Sequence, residues 1–210
     1  MLSIYRFLTL FLYPVFILII FFRIFFKKEN KLRYKEKIFP SSFNPKKNPN
    51  KKLIWFHTSS IGELLSIMPL IDSLNKNNSK NLEFLVTTVT LSSANLLEKK
   101  LSNYKNVMHR FFPLDTEFLV SSFLDNWQPS LICFIDSEIW PNFLFKIKKN
   151  KFPLILLNAR ITKKTLNRWK VFSKFAKKVF DNFDLCLASS NESKKNLELL
   201  GVKNISYMGI

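Results

Sequence analysis

Residues 53–63 read LIWFHTSSIGE, a short apolar run that gives way to small polar residues and a glycine. Beyond this stretch, apolar residues return at positions 64, 65, 68, 71 and 74, which is the spacing of one helix face. A strand that leads through a tight turn into a helix is the repeating unit of parallel α/β sheets. The stretch therefore predicts the first strand and the first crossover of such a sheet.

Further β-rich runs follow along the chain, separated from one another by helical patterns and turns. The predicted strands cover residues 53–57, 82–88, 107–112, 131–135, 154–157, 185–188 and 205–208. The last helix is framed by Ser190 or Asn191 as its N-cap and by Gly201 just beyond its end. Because parallel strands need right-handed crossovers, we expect residues 53–210 to form one α/β domain with a doubly wound, Rossmann-like parallel sheet.

The composition indicates a folded domain with anionic partners. The chain has 210 residues, of which 47% are hydrophobic, and this excludes a chain without a core. Lysine and arginine number 33 against 15 acidic residues, a net charge of +18 that favours nucleic acid, phospholipid head groups or a phosphorylated substrate. Cys133 and Cys186 both lie in apolar runs, which predicts two reduced core residues and neither a disulfide nor a zinc site.

The N-terminus carries a long apolar segment with a basic flank. Residues 7–26 are almost entirely apolar, and we expect residues 1–26 to form a membrane anchor helix that spans the bilayer or lies in its interface. A buried core helix is the alternative. Residues 27–52 contain ten Lys or Arg and two acidic residues, and from residue 40 onward their proline and asparagine content is that of a linker. This basic segment, Lys27 to Lys52, predicts contact with anionic membrane lipid and places the domain on the cytoplasmic side.

Polar residues follow the first predicted strand, at the edge where α/β sheets bind ligands. Ser59, Ser60 and Gly62 allow a tight turn, and Glu63 falls in the first turn of the helix. There its carboxylate either complements the helix dipole or serves as a catalytic group. His57 with one of the serines is a weak candidate for a nucleophile pair, because residues two or three apart on a turn seldom align. A single glycine with no lysine after it excludes a Walker loop.

Four more polar loops are predicted at the same edge of the sheet. Asp136 and Glu138, after the fourth strand, are suited to general acid and base work, to holding a divalent cation, or to capping the next helix. Arg160, after the fifth strand, is suited to binding a carboxylate or a phosphate. Thr88 and Asp115 stand at the ends of the second and third strands. Five polar loops at one edge indicate a ligand-binding cleft.

Five motifs, in this order, resemble those of the 3-deoxy-D-manno-octulosonic acid (Kdo) transferases of lipopolysaccharide synthesis. They are HTSSIGE (57–63), TTVT (87–90), FFPLD (111–115), DSEIWPN (136–142) and LLNARIT (156–162). The basic segment KLRYKEK (31–37) is similar to the juxtamembrane region of the same family. The resemblance runs from the N-terminal segment to the end of the chain.

The resemblance implies an enzyme that moves Kdo from CMP-Kdo to the phosphorylated glycolipid lipid IVA at the cytoplasmic face of the inner membrane. It implies the acceptor-binding, N-terminal half of a GT-B glycosyltransferase, which uses no metal or other cofactor. Glu63 matches the family's general base, and Glu138 matches its second essential carboxylate. The residues that would line the acceptor cleft are Ser59, Ser60, Gly62, Thr88, Asp136 and Arg160.

Two departures from the family pattern bear on this expectation. The stretch TTVTLSS at 87–93 lacks the glycine of the family's TTxTxTG motif. Family members are about twice as long, so the C-terminal donor-binding domain is expected to be absent from these 210 residues. We therefore expect a piece of a longer protein, one half of a split enzyme that pairs with a separate donor-binding domain, or the product of a decayed gene.

An alternative function class is a basic, membrane-tethered module without chemistry that binds anionic lipid or RNA. Aromatic residues between lysines at 172–180 are typical of nucleic-acid stacking surfaces. The spacing of Phe172, Phe175 and Val179 more simply predicts the buried face of an amphipathic helix. Nucleic acid is therefore not expected as a partner.

Overall fold

The structure is a computed structural model that describes residues 1–43, 48–78, 80–101 and 104–207. Its centre is a seven-stranded sheet in the order β3-β2-β1-β4-β5-β6-β7, and every neighbouring pair is parallel. The strands are β1 (Lys52–Thr58), β2 (Leu82–Thr88), β3 (Val107–Phe111), β4 (Leu131–Ile135), β5 (Leu154–Ala159), β6 (Leu185–Ala188) and β7 (Ile205–Ser206). The predicted Rossmann-like, doubly wound fold is confirmed.

Helices alternate with these strands and precede them at the N-terminus. They are α1 (Leu2–Phe11), α2 (Tyr13–Phe25), α3 (Lys35–Ile38), α4 (Ile61–Asn78), α5 (Leu91–Leu101), α6 (Glu117–Trp127), α7 (Pro141–Lys149), α8 (Lys163–Lys170), α9 (Ser173–Phe180) and α10 (Asn191–Leu199). A short 3-10 helix covers Pro40–Ser42. The predicted frame of the last helix is confirmed, because Ser190 Oγ accepts from Ser193 N and Gly201 follows with φ +92°.

The sheet buries a separate core on each face, since successive strand residues point to opposite sides. On β1, Trp55 packs in the core under α6, α7 and α9, whereas Phe56 packs in the core under α4 and α5. Cys133 and Cys186 are free and buried, one in each core. Their prediction as small core residues is confirmed.

Several strand ends differ from their predicted positions. β1 runs one residue further at each end, and β3 stops one residue early, at Phe111. β5 continues to Ala159 through a register shift against β6, where Asn158 adopts φ +53°. A left-handed residue inside a strand leaves the period-2 pattern, so the sequence pattern could not predict this extension. The predicted end of β7 at residue 208 lies outside the described residues.

The predicted anchor is two helices and not one. α1 and α2 meet at Leu12 with a bend of 49°. Pro14, in the first turn of α2, has no N–H to donate to the carbonyl of Leu10, and this interrupts the hydrogen-bond ladder. Within the described part of the chain, no single helix combines the length and hydropathy needed to cross a membrane, whereas the bent pair meets both conditions together.

One side of α1 and α2 packs along the domain. Tyr5 Oη donates to Asp115 Oδ2 at 2.7 Å, and Tyr13 packs edge-on against Phe118. The other side is exposed and apolar, and this surface is called the apolar helix face below. Its members are Ile4, Phe7, Leu8, Leu10, Phe11, Val15, Leu18, Phe21, Phe22, Phe25 and Phe26. Ile20 is the buried residue of α2, and α1 buries none, so the buried core helix of the sequence analysis is not observed.

The predicted basic segment and linker, residues 27–52, is partly folded into the domain. Lys37 is buried, and its Nζ donates to Glu29 Oε2 at 2.8 Å and to Val89 O at 2.9 Å. Glu36 is buried too, and it accepts from Arg33 and from the backbone N–H of Phe111. Lys37 is therefore not available to lipid. Residues 44–47 of the predicted linker lie outside the described residues.

α9 follows the amphipathic prediction at two of its three positions. Val179 is fully buried and Phe175 packs against the core. Phe172 precedes the helix and is 55% exposed, because the chain turns between α8 and α9 instead of continuing as one helix.

Candidate functional site

The candidate site lies where the strand order of the sheet reverses. From β1 the chain crosses over to β2, whereas from β4 it crosses to β5 on the opposite side. Adjacent crossovers that diverge leave a crevice at the carboxyl ends of the two strands, which is where open α/β sheets bind ligands. The loops after β1 and β4, residues 59–63 and 136–140, flank this crevice. The sequence predicted that the site lies at the carboxyl edge of the sheet. The strand order adds that it lies between β1 and β4.

Glu63 lies in the first turn of α4 and is held by the two serines before the helix. Its Oε1 accepts from Ser59 Oγ at 3.0 Å and from Ser60 Oγ at 2.8 Å, and its Oε2 accepts from Ser59 N at 2.8 Å. Ser60 Oγ in turn accepts from Glu63 N at 3.2 Å. This is close to a capping box, so the predicted local role at the helix end is present. The same contacts fix a half-buried carboxylate at the mouth of the crevice.

Gly62 does not serve the tight turn that the sequence suggested. It lies inside the first turn of α4 without a left-handed backbone angle, and a Cβ there would meet only Ser60 Oγ, at 4.0 Å. No neighbour within the described chain therefore requires a glycine. The position leaves open space beside Glu63.

Glu138 is anchored by side-chain N–H groups from both sides of the crevice. Its Oε2 lies 3.2 Å from His57 Nε2 and accepts from Trp140 Nε1 at 2.8 Å. Burial acts to raise the pKa of this carboxyl, but hydrogen bonds from His57, Ser59 and Trp140 outweigh it and lower the pKa. Glu138 is thus an ionised hydrogen-bond acceptor, and His57 Nε2 carries the proton between them.

His57 has more contacts in the site than its sequence position indicated. It is fully buried at the end of β1, stacks on Phe112 with ring centroids 3.7 Å apart, and places Nδ1 3.0 Å from Thr87 Oγ1. Thr87 Oγ1 also accepts from Trp55 Nε1 at 2.9 Å. A chain of hydrogen bonds therefore runs from Trp55 to Glu138 through the sheet. The signal in the sequence was a histidine at the end of an apolar, buried strand. The hydroxyls of Ser59 and Ser60 donate to Glu63 and not to His57.

Asp136 and Arg160 meet at the ends of β4 and β5. Asp136 adopts φ +62°, and its carbonyl accepts from Arg160 N at 3.1 Å. Burial raises the pKa of the Asp136 carboxyl, the charge of Glu63 adds to this, and the charge of Arg160 opposes it. The left-handed backbone of Asp136 costs conformational free energy, because the residue is not a glycine. The carboxyl of Asp136 is therefore within electrostatic range of Glu63 and Arg160.

The structure does not place two of the predicted rim residues in the crevice. Thr88 is fully buried and its Oγ1 shares a hydrogen bond with His109 Nε2 at 2.9 Å, which corrects its prediction as a cleft residue. Asp115 caps α7 by accepting from Asn142 N and Phe143 N. Burial raises the pKa of Asp115 to about 6. Both side chains are buried among these hydrogen-bond partners.

Comparison with known sequences identifies relatives over the whole chain. A family model described as 3-deoxy-D-manno-octulosonic-acid transferase (kdotransferase) matches residues 32–209. A 3-deoxy-D-manno-octulosonic acid transferase of Rickettsia bellii is 34% identical over 209 residues, which is all of this chain and 48% of that protein. A probable mitochondrial 3-deoxy-D-manno-octulosonic acid transferase of Arabidopsis thaliana is 38% identical over 121 residues, 58% of this chain and 26% of that protein. The chain spans about half the length of the curated relatives it matches, or less.

Comparison with solved structures supports the fold. The UDP-GlcNAc 2-epimerase of Neisseria meningitidis aligns with a TM-score of 0.51 and 16% identity, over 76% of this chain and 46% of that protein. At this identity the likeness concerns the Rossmann-like architecture alone.

Proposed function

The chain belongs to the 3-deoxy-D-manno-octulosonic acid (Kdo) transferase family, and from that premise we propose that it supplies the acceptor-side half of a glycosyltransferase. The reaction is the transfer of Kdo from CMP-Kdo to lipid IVA in lipopolysaccharide synthesis. The crevice between the β1 and β4 loops receives the acceptor. A second domain, either further along the same protein or on a separate chain, binds CMP-Kdo.

The position of Glu63 is the observation that carries this proposal. It is a half-buried carboxylate at the switch point of the sheet, with open space beside Gly62 for a ligand. Ser59 and Ser60 hold both carboxylate oxygens by hydrogen bonds, so the group is oriented before a substrate binds. Orientation of this kind is a large part of what general-base catalysis requires.

In the proposed reaction, Glu63 accepts the proton of an acceptor hydroxyl. The oxygen of that hydroxyl forms a bond to the anomeric carbon of Kdo as the bond from this carbon to the CMP phosphate breaks. CMP leaves with the electron pair of the broken bond, and the proton remains on Glu63. Ser59 and Ser60 adjust their hydroxyl bonds as the carboxylate becomes neutral.

Glu138 has a positioning role in this scheme. Its contacts with His57 and Trp140 keep it ionised and tie the loop after β4 to the end of β1. The loop carries Asp136, whose pKa is raised by burial and by the charge of Glu63 and lowered by the charge of Arg160. Gly62, Asp136 and Arg160 lie where they would contact the anionic acceptor, and the cationic Arg160 suits its phosphate groups.

We place the protein at the cytoplasmic face of the inner membrane. The apolar helix face presents a row of large side chains to the outside, and the exposed lysines Lys27 and Lys28 follow it directly. An amphipathic surface flanked by cations is suited to lie in the interface of an anionic bilayer.

The test is made on the protein as the cell contains it. Antibody against residues 53–207 gives its mass by immunoblot, and the same antibody isolates it from membranes for assay with CMP-Kdo and lipid IVA. The expected result is an acceptor whose mass increases by one or more Kdo units, with CMP released in equal amount. If the isolated protein, whatever its mass, adds no Kdo to the acceptor, with or without release of CMP, the result contradicts the proposal.

A further inference from the structure

A pocket of about 390 Å³ lies between the N-terminal helices and the carboxyl edge of the sheet. One wall belongs to α1 and α2, and the opposite wall belongs to the loops after β2, β3 and β4. The large apolar residues of these walls include Phe16, Ile19 and Ile20 on the helices and Phe112, Leu114 and Trp140 on the domain. A volume of this size is typical of sites for small ligands or single chains of lipids.

The charged groups around the pocket are engaged with one another. Arg23 and Lys37 both contact Glu29, and Tyr5 donates to Asp115. The surface left to a ligand is therefore mainly apolar. Among the described residues, Glu29 Oε1 is buried without a hydrogen-bond partner, so a hydroxyl or an amide N–H on the ligand would supply one.

The inner wall of the pocket contacts the residues that hold Glu138. Trp140 lines the pocket and donates its indole N–H to Glu138 at 2.8 Å. Phe112 lines it too and stacks on His57. The pocket and the crevice therefore share a wall, formed by Trp140 and Phe112.

The outer wall is continuous with the apolar helix face. Ile19 lines the pocket and is still 48% exposed, and its neighbour Leu18 is 57% exposed on the helix surface. An apolar surface of this extent is covered in a working protein. Lys27 and Lys28, exposed at the end of α2, place positive charge beside it for an anionic head group.

We propose that this pocket binds one fatty acyl chain of the anionic glycolipid acceptor, which reaches it from the bilayer beneath the apolar helix face. The inference rests on the proposed function, since it names where the acceptor's lipid part lies. The acyl chain fixes the distance between the head group and the crevice, and so selects acylated acceptors over deacylated ones.

The first test uses phosphatidylglycerol vesicles that contain an acyl-chain diazirine probe, with the labelled peptides identified by mass spectrometry. Ile19→Trp fills the pocket, and Leu199→Trp adds the same ring at an exposed position of α10, outside the apolar helix face. We expect labelling of the 111–115 segment to fall at least tenfold in Ile19→Trp and to be unchanged in Leu199→Trp. Thr9→Trp, which fills the pocket from α1, gives an independent second variant.

The second test is kinetic and uses the full-length protein with donor. With the acylated acceptor, Ile19→Trp raises KM about tenfold and Leu199→Trp leaves it unchanged, whereas with the deacylated acceptor the two variants are equal. Equal labelling and equal KM in both variants, while Kdo transfer persists, overturn the pocket and leave the proposed function standing. Labelling that behaves as expected in a protein that transfers no Kdo supports the acyl site and overturns the transferase.

Competition separates the remaining occupants. An acylated phosphoglycolipid that displaces the probe at lower concentration than free myristate supports the proposal. Displacement by myristate at equal concentration identifies a fatty-acid site and overturns it. If labelling disappears when the protein forms dimers, a second copy of the chain occupies the pocket, and this result also overturns the acyl-chain proposal.

Discussion

His57 Nε2 lies 3.2 Å from Glu138 Oε2, and this contact joins the end of β1 to the loop after β4 across the crevice. His57 has no exposed surface, and the Glu138 side chain is 14% exposed. Because the strand order reverses between these two strands, the contact closes the floor of the crevice at the point where the two crossovers diverge. Together with the backbone hydrogen bonds of Asp136 to Leu157 and Arg160, it holds the β4 loop against the neighbouring strand ends.

A double-mutant cycle measures this link. His57→Phe and Glu138→Gln each lower kcat/KM of the full-length transferase, and the double variant is expected to lose less than the sum, with a coupling of about 1–3 kcal/mol. The matched cycle pairs His57→Phe with Glu192→Gln, an exposed acid on α10, and its two effects should add. Full additivity of the His57 and Glu138 effects would show that the contact has no role in activity.

The hydrogen bond of Tyr5 to Asp115 holds α1 on the domain. Tyr5→Phe removes a donor from a buried carboxylate that retains the backbone donors of Asn142 and Phe143. We expect amide exchange of residues 2–11 to become faster by an amount equivalent to about 1–3 kcal/mol. Tyr13→Phe is the control, because its hydroxyl bond to Ile38 O is 3.5 Å long, and its effect should be smaller. Equal effects of the two changes would mean that apolar packing alone holds the helices.

Vesicle binding tests the membrane surface. Replacing both exposed lysines in Lys27→Gln/Lys28→Gln removes two cations beside the apolar helix face, which costs about 2 kcal/mol or about 30-fold in partition onto anionic vesicles. Lys195→Gln/Lys203→Gln, the same charge change at the other end of the chain, should leave partition unchanged. If the two double variants bind equally weakly, net charge and not this surface drives the association.

His109 makes stability depend on pH. Burial, together with the charges of Arg33 and Arg110, lowers its pKa from 6.5 to about 3. Between these values the unfolded chain binds a proton that the folded chain does not. Stability therefore falls as pH decreases from about 6.5 toward 3, by up to about 1.4 kcal/mol per pH unit.

The comparison that isolates this effect is urea unfolding of the wild type and of His109→Gln, followed by tryptophan fluorescence at several pH values. Because the substitution also changes absolute stability, only the slope of the unfolding free energy against pH is compared. The variant should have the shallower slope below pH 6.5. A slope that is the same in both proteins would mean that His109 is protonated in the folded state.

Much of the sheet follows from local pattern, because buried parallel strands appear as short apolar runs between turns. The motif at 57–63 and the acids at 136 and 138 stand where the pattern placed them, at the carboxyl ends of β1 and β4. The extension of β5 could not be predicted, since it depends on the left-handed backbone of Asn158. The burial of the Thr88 side chain could not be predicted either, because its hydrogen-bond partner His109 lies on the neighbouring strand.

The N-terminal region shows a different limit of sequence reasoning. Composition predicted an apolar helix and a basic flank, but it cannot distinguish a free cation from a buried one. Lys37 is buried because Glu29 and the carbonyl of Val89 provide partners that only the fold brings together. The site likewise gains His57, because hydrogen bonds to Thr87 and Glu138 cross between strands.

The most direct test of the central claim is the rate of Kdo transfer by full-length protein carrying Glu63→Gln. The amide keeps the size of the side chain and removes its capacity to take a proton, so kcat should fall by about 10²- to 10⁴-fold while KM for the acceptor changes little. Glu192→Gln, which neutralises the first-turn acid of α10, controls for the helix-end effect and should retain wild-type rates. Near-wild-type transfer by Glu63→Gln, in a protein with unchanged circular dichroism, would contradict the assignment of Glu63 as the base.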